Sequence, residues 1–473
     1  MSTSSQASAK TLESPRARLF ERKISVLAGA GMFIDGFDVS VIAVALPGLK
    51  AAWDIQSGWI SGLVASSVVL GMFFGMMFGG MLVDKFGRRK MYMFDLIGFV
   101  VFALLAAFTQ NVWQLIFTRF ALGLFIGADY PISSSMTAEF TSPKRRGRMI
   151  IFMSLLWQTG ALVAYLSGIF LLPLGEHAWR WMLGLGALLA LIVIVLRHSA
   201  PESPRWLRSQ GRFDEANAIE EEVERDFDLK ITEFNVEKTG DNAPQKASWL
   251  ELFSPKMLRA TVFCSLFWFA FAVSFYGIQM YTPTILAPYT QGRPELAFFG
   301  AAVIAFMGVV GAGIGMITVE RFGRRKQIIS CLVGMVIALV ILSVWQQPTL
   351  IPLTILLTIT ILLANLGPGV LNMVYPNEMF PTRLRGSGVG FAGSVSRIGS
   401  ILGVLVFPVL VQQLGMSNAT WMFAGVALIG LIASYFLAPE TQGRSLEELE
   451  ELANNGWRDR QGKRVYYGSI EGK

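Results

Sequence analysis

The chain has 473 residues, 53% of them hydrophobic, and a mean hydropathy of +0.51. Charged residues make up only 15%, against about 25% in soluble domains, which excludes an ordinary soluble globular protein. The net charge of +7 is not a nucleic-acid signal, because its distribution along the chain follows membrane topology.

Met1 to Lys23 is polar, with five basic residues and no small-residue cleavage site after a short apolar core. It reads as a cytoplasmic tail and not a signal peptide. Twelve apolar runs follow, at 24–46, 58–83, 91–109, 111–138, 149–171, 178–197, 258–286, 296–319, 327–346, 349–375, 387–412 and 417–437. Each is long enough to cross a bilayer. The expected fold is an all-α membrane protein of twelve transmembrane helices in two six-helix halves. The expected divisions are a tail 1–23, a half 24–200, a cytoplasmic linker 201–256, a half 257–438 and a tail 439–473.

Span 1 contains "FIDGFDVSVIAVAL", with two carboxylates at bilayer depth, Asp35 and Asp38. Each costs at least ~2.5–3.5 kcal/mol to insert. Counted from residue 24 at 1.5 Å per residue, they lie ~17 and ~21 Å in and share a helix face. Span 2 ends in "GGMLVDKFGRRK", with Gly79, Gly80, Asp84, Gly87, Arg88 and Arg89. Span 4 runs the opposite way and carries Arg119, ~12 Å from its outer edge and level with Asp38, and Asp129, ~15 Å further on. Three carboxylates and one guanidinium are therefore expected to line one cavity in the first half. Burial favours a protonated carboxyl and a nearby guanidinium an ionised one. A conformational change that alters either would load a proton on one side and release it on the other. A static ion-pair network that only fixes helix packing is the other reading.

Glu139 and Arg146 follow span 4, and Gln158 lies in span 5. In the linker, "FDEANAIEEEVERDF" at 213–227 has helical periodicity and an acidic face, and "TGDNAPQ" at 239–245 is a loop. The segment is either a solvated linker or a set of short helices bracing the halves. Span 7 carries Trp268 near the midplane, then Phe269, Phe271, Phe275, Tyr276 and Gln279. The glutamines Gln158 and Gln279 are expected to face the interior. "NLGPG" at 365–369 invites a hinge in span 10. Span 11 places Arg397 about 15 Å deep, within "GSVSRIGSILG". A midplane cation suits a carboxylate or phosphate substrate; alternatively it pairs with a carboxylate of the other half and gates the cavity. Cys264 and Cys331 fall inside apolar spans as small buried hydrophobes, and His177 and His198 have no metal-ligand spacing around them.

Basic clusters after spans 2, 4, 8 and 10 put both termini in the cytoplasm. Landmarks also recur. "DKFGRRK" at Asp84 returns as "ERFGRRK" at Glu320, "EFTSPKRRG" at Glu139 as "EMFPTRLRG" at Glu378, and "PESPRWL" at Pro201 as "PETQGRSL" at Pro439. The offsets are 236, 239 and 238 residues, so one half is written twice. That is the layout of alternating-access transporters with a midplane site between halves.

These motifs in order resemble the major facilitator superfamily. "GGMLVDKFGRRK" is similar to its loop 2–3 signature, and "PESPRWL" and "PETQGRSLEEL" to the signatures closing each half of the sugar porter branch. "RFALGLFIGADYP" resembles the fourth helix of bacterial inner-membrane metabolite:proton and phosphate:proton symporters. The resemblance implies a rocker-switch cycle and a small solute. "GFDVSVI" is similar to sugar-porter sequences in which the aspartate pairs with the helix-4 arginine, which implies Asp38 with Arg119. Asp35 and Asp129 match carboxylates of phosphate-type symporters, and Trp268 and Tyr276 match family positions, while Phe269, Phe271 and Phe275 read as core. A lysine of the phosphate symporters resembles Arg397 in position, and organic anion transporters carry arginine there.

The cytoplasmic motifs read as latches. Asp84 pairs with a helix end or base; Arg88 and Arg89 reach carboxylates such as Glu139, near Arg146; Glu320 with Arg324 and Glu378 with Arg385 repeat the scheme. Two sugar-porter features are absent: helix 7 lacks a glutamine pair, and "GPGVLNM" lacks the tryptophan after GPGP. The phosphate-type aspartate of helix 7 is replaced by Ala272. The expected function is proton-coupled symport of a small organic anion, with no cofactor beyond the proton gradient. The expected partners are lipid, substrate and protons, without nucleic acid, and the chain is expected as a monomer. Sugar or polyol symport, and a non-transporting sensor on the same fold, are the alternatives. No nucleophile–base pair, phosphate loop or metal cluster suggests an enzyme.

Overall fold

The computed structural model describes residues 14–141, 143–198, 201–229, 249–345, 349–381, 384–444 and 446–457. The loop at 239–245 lies outside the described residues, and at the latch positions Gly80, Asp84, Glu139 and Arg146 only the helical backbone is described. The regular elements among the described residues are all helical. The first half contains α1 (Pro15–Ala52), α2 (Gly58–Phe86), α3 (Arg88–Ala107), α4 (Val112–Phe140), α5 (Pro143–Leu171) and α6 (Ala178–Arg197). The linker holds α7 (Pro204–Ser209) and α8 (Phe213–Phe227). The second half contains α9 (Leu258–Leu286), α10 (Pro294–Phe322), α11 (Arg324–Val344), α12 (Leu350–Leu366), α13 (Pro368–Met379), α14 (Arg385–Leu414) and α15 (Met416–Leu437), followed by α16 (Leu446–Asn454).

All twelve predicted spans appear. The apolar stretch Arg148–Arg197 is divided into two crossings by Gly175, whose φ of 72° and ψ of −140° no helix can hold. Span 10 is the reverse case, one crossing built from two helices. It breaks at Gly367 (φ −105°, ψ −93°), immediately before Pro368, because proline has no N–H to continue the ladder. Gln327 of α11 fills the gap, donating from Nε2 to the freed carbonyl of Leu366 at 2.6 Å.

Large apolar side chains such as Phe94, Val195, Ile351 and Phe436 are exposed, while Arg119, Arg197 and Arg397 are buried. This inversion is what a helix bundle in hydrocarbon requires: lipid covers the apolar face and charge hides between helices. Tight helix pairs form where a side chain is missing. A Cβ on Gly36 would lie 1.9 Å from the Trp157 carbonyl, and one on Gly160 1.9 Å from that of Phe33, so α1 and α5 touch backbone to backbone. In the second half a Cβ on Gly403 would lie 2.3 Å from the Val273 carbonyl, joining α14 to α9 in the equivalent place. The small residues around Arg397 therefore do allow close approach.

Two expectations about the ends change. Helix α1 begins at Pro15 and not near residue 24, because Ser14 caps it by accepting from Ala17 N–H at 3.1 Å and proline occupies the first position. The early turns are held because Phe20 packs on Phe140 and Phe227, at 5.9 and 4.7 Å between ring centroids. This also places α8: its apolar edge, with Val223 and Phe227, docks on α1 and α4 of the first half. At the other end, Leu449, Ala453 and Trp457 are buried, so the start of the predicted tail is docked as well.

The repeated motifs repeat one piece of engineering. The Glu202 carboxylate accepts from the backbone N–H groups of Arg88 (2.9 Å) and Arg89 (3.1 Å), capping α3. Glu440 does the same for Arg324 (2.9 Å) and Arg325 (3.1 Å), capping α11. Each cap is reached across a glycine at positive φ, Gly87 at 94° and Gly323 at 86°. A Cβ at either would approach the capping carboxylate to within 2.9 and 2.6 Å. An anion at a helix N-terminus satisfies orphan donors and complements the dipole. The latch expected between Arg88 or Arg89 and Glu139 falls on a side chain outside the described ones; what the described residues show at this place is a helix cap made by the "PES" glutamate.

Glu320 pairs with Arg324 at 3.4 Å, as expected. Glu378 does not pair with Arg385. It takes Arg324 at 3.3 Å and the Thr441 hydroxyl, because α13 brings it over the start of α11.

Candidate functional site

The intramembrane charges assemble between the helices of the first half and at the junction of the two halves. Asp38 and Arg119 meet as expected: Nη2 lies 3.5 Å from Asp38 Oδ2 and donates to the Asp38 carbonyl at 3.0 Å. Both are almost wholly buried.

Asp129 does not join that pair. It forms a two-pronged bond with Arg197, at 2.9 Å from Nη1 to Oδ1 and 3.0 Å from Nη2 to Oδ2. Arg197 is the last residue of α6 and had been given no role. Its Nε donates to the Leu27 carbonyl at 3.1 Å, Nη2 reaches Ser133 Oγ at 3.3 Å, and the guanidinium lies 3.6 Å from the centre of the Tyr92 ring. Asp95 of α3, also unassigned by the sequence, lies 4.0 Å from Arg197 Nη1. The single expected cavity is thus two clusters. The cause is spacing along α4: Arg119 and Asp129 are ten residues apart, about 15 Å, too far to share one partner. The second cluster surrounds a cavity of about 10 Å³ lined by Asp35, Asp95 and Asp129 with Gly31, Ile34 and Phe125, room for about one water molecule.

Arg397 lies where the halves meet. Its Nη1 donates to Tyr276 Oη at 3.0 Å, its Nε lies 3.3 Å from Met76 Sδ, and it stacks 4.8 Å from the centre of the Tyr130 ring. Among the described residues no carboxylate oxygen comes within 4.0 Å of it, which removes the reading in which Arg397 is locked to an acid in this conformation. Trp157 stands edge-on to Tyr276, 5.8 Å between centroids, and Phe275 packs on Trp157 at 5.9 Å. Trp268 of α9 lies beside Gly393, one turn before Arg397 on α14, where Met76 also approaches.

The two glutamines separate. Gln158 bonds Asn365 beside the span-10 break, joining the halves, and its Oε1 is buried without a partner. Gln279 lies towards the end opposite the basic loops. Its Nε2 reaches Ser40 Oγ at 3.3 Å and its carbonyl accepts from Tyr165 Oη. With Gly58 N donating to Gln412 Oε1 at 3.0 Å, these contacts zip the halves together on that side.

Sequence reasoning missed Arg197, Asp95, Tyr130, Trp157 and Asn365. Asp95 had a signal, being a carboxylate within an apolar span, and Tyr130 directly follows Asp129. Arg197 looked like one more basic residue at a helix end.

The chain matches the model of the family described as "Sugar (and other) transporter" over residues 24–453. It is 34% identical to YaaU of Escherichia coli (strain K12), named as a candidate metabolite transport protein, over 92% of this chain and 96% of that one. It is 30% identical to the inner membrane metabolite transport protein YgcS of the same organism, over 90% and 93%. Among solved structures, the major facilitator superfamily proton:xylose symporter XylE superposes with a TM-score of 0.76 at 21% identity, over 92% of this chain and 99% of that one.

Proposed function

The chain belongs to the sugar porter branch of the major facilitator superfamily and is a multi-pass membrane transport protein, and from that premise we propose proton-coupled symport of a small organic anion across a bacterial inner membrane. The observation that carries the anion is Arg397: a buried guanidinium at the junction of the halves, held by a tyrosine hydroxyl and two aromatic rings, with no carboxylate within 4.0 Å among the described residues. A cation kept out of water calls for an anion in the working cycle. The surrounding Tyr130, Tyr276, Trp157 and Phe275 suit a planar body attached to that anion.

Coupling is supported by the buried carboxylates. Asp38 Oδ2 and Asp35 Oδ2 accept no hydrogen bond, so protonation of either relieves a buried charge. Substrate at Arg397 and protons at Asp35 and Asp38 would load together and leave together, because the cavity closes readily only when its charges are balanced. The basic ends of the helices support a cytoplasmic position for both termini, and on that orientation the contacts around Gln279 and Gln412 would be the extracellular closure of an alternating-access cycle.

The test is a thermal-shift series on purified protein with benzoate and other carboxylates against xylose and inositol. A ligand at 100 times its Kd stabilises the folded state by about 2.7 kcal/mol, so a carboxylate should raise the apparent melting temperature. Arg397→Ala should weaken that response by about 10- to 150-fold in affinity, the loss of a hydrogen bond to a charged group, ~1.5–3 kcal/mol. Stabilisation by sugars alone, untouched by Arg397→Ala, refutes the anion assignment and leaves sugar or polyol symport, the reading suited to the proton:xylose symporter that this fold resembles.

A further inference from the structure

The buried cluster around Arg197 holds more acid than base. Asp129 is neutralised by two direct bonds from Arg197. Two carboxyls remain around the same cavity, Asp35 on α1 and Asp95 on α3. Each has Oδ2 buried without a hydrogen-bond partner. Asp95 Oδ1 accepts from the N–H of Leu96 at 2.7 Å, which fixes its rotamer, and its Oδ2 stands 4.0 Å from Arg197 Nη1.

We propose that Asp95 is a second proton-holding carboxyl, which exchanges a proton with Asp35 through the water-sized cavity they share. The step is a simple transfer. A proton leaves the Asp35 carboxyl for the cavity water, and that water gives a proton to Asp95; Asp35 becomes a carboxylate and Asp95 an acid, with no other bond made or broken. Asp95 stands about 10 Å from the start of α3 at the basic end of the bundle, level with the head of Arg197, whereas Asp35 lies deeper. The exchange therefore moves the proton towards the basic end without moving a helix.

The charged and titratable groups facing this pair limit what else could do the job. From α4 come Asp129, tied to Arg197, and Tyr130, against Arg397. From α3 comes Tyr92, stacked on Arg197. From α6 comes Arg197 itself, and from α14 Arg397, within electrostatic reach of Asp35. Asp38, next along α1, is engaged by Arg119. Among the described acids here, Asp129 bonds Arg197 directly and Asp38 lies 3.5 Å from Arg119, whereas Asp95 comes only to 4.0 Å from Arg197 and Asp35 lies within 4.0 Å of no described guanidinium. The arrangement also keeps the positive charge of Arg197 beside whichever of the two is ionised.

This inference rests on the proposed role of Asp35 as a proton carrier, and the experiment separates the two. Protein reconstituted in liposomes is examined by pH-difference infrared spectroscopy, which reads the carbonyl stretch of protonated carboxyl groups without any substrate. Wild type should show the buried carboxyls of Asp35, Asp38 and Asp95. Asp95→Asn should remove one band and shift the pH midpoint of the band that Asp35→Asn removes by on the order of one unit, the effect of deleting a neighbouring acid. Asp95→Glu should restore a titrating band, which excludes a mere folding defect, and monodispersity on gel filtration is required of each variant. If Asp95→Asn leaves both the bands and the midpoint unchanged while Asp35→Asn removes a band, Asp95 is no relay and the coupling role of Asp35 stands. If neither substitution alters the spectrum, both readings fall.

Discussion

The Arg197–Asp129 pair fits against α1 only because residue 31 has no side chain, and Gly31→Ala measures how much of the first half depends on it. A Cβ there would lie 1.8 Å from Arg197 Nη2 and 2.1 Å from Asp129 Oδ2. Neither partner can yield freely: the guanidinium is also fixed to the Leu27 carbonyl and to the Tyr92 ring. Overpacking alone costs about 1–3 kcal/mol. Forcing the pair apart approaches the ~3–5 kcal/mol of a broken buried ion pair. From these the methyl group should destabilise the protein by about 3 kcal/mol, after crediting alanine about 1 kcal/mol over glycine in a helix. Gly313→Ala on α10 is the control, because nothing lies within 4 Å of its added Cβ; it should be neutral or slightly stabilising. Both are read by thermal unfolding of the detergent-solubilised protein, followed by fluorescence-detected gel filtration. A Gly31→Ala variant that melts together with wild type and with Gly313→Ala would mean that the ion pair is not seated against α1, and the argument for two separate charge clusters would go with it.

Asp38→Asn should abolish uptake driven by a pH gradient in proteoliposomes; accumulation at the wild-type level would remove Asp38 from coupling. Glu202→Gln and Glu440→Gln each weaken a helix cap, and each should cost about 1 kcal/mol in thermal stability. Because the two caps serve different halves, the double variant should show the sum, and a clear departure from additivity would mean that the caps communicate. Gln327→Leu leaves the Leu366 carbonyl unpaired at the span-10 break and should destabilise by ~1–3 kcal/mol; a melting curve like that of wild type would show that the break needs no such support.

The sequence by itself determined the architecture, since a run of about 20 apolar residues can bury its backbone only as a helix in lipid. That rule fixed the twelve spans, and the repeated motifs at offsets of 236 to 239 residues fixed the two halves. It also marked Asp35, Asp38, Arg119, Asp129 and Arg397, because a charge in hydrocarbon is costly enough to stand out in one dimension. Depth counted along the helices set Arg119 level with Asp38, the family resemblance implied that they pair, and the structure brings them together. Only the tertiary structure decided who else meets whom. Asp129 found Arg197 and not Arg119; Glu202 and Glu440 became helix caps; Gln279 went to a closure contact and Gln158 to the junction with Asn365. Depth along a helix axis is additive in residue number, whereas the azimuth of each helix and its choice of neighbour depend on packing across hundreds of residues. Arg197 shows the limit most clearly. At the end of an apolar run a surface arginine and a buried one read alike, and they are told apart only by the glycine, the tyrosine ring and the carboxylate that three other helices bring to meet it.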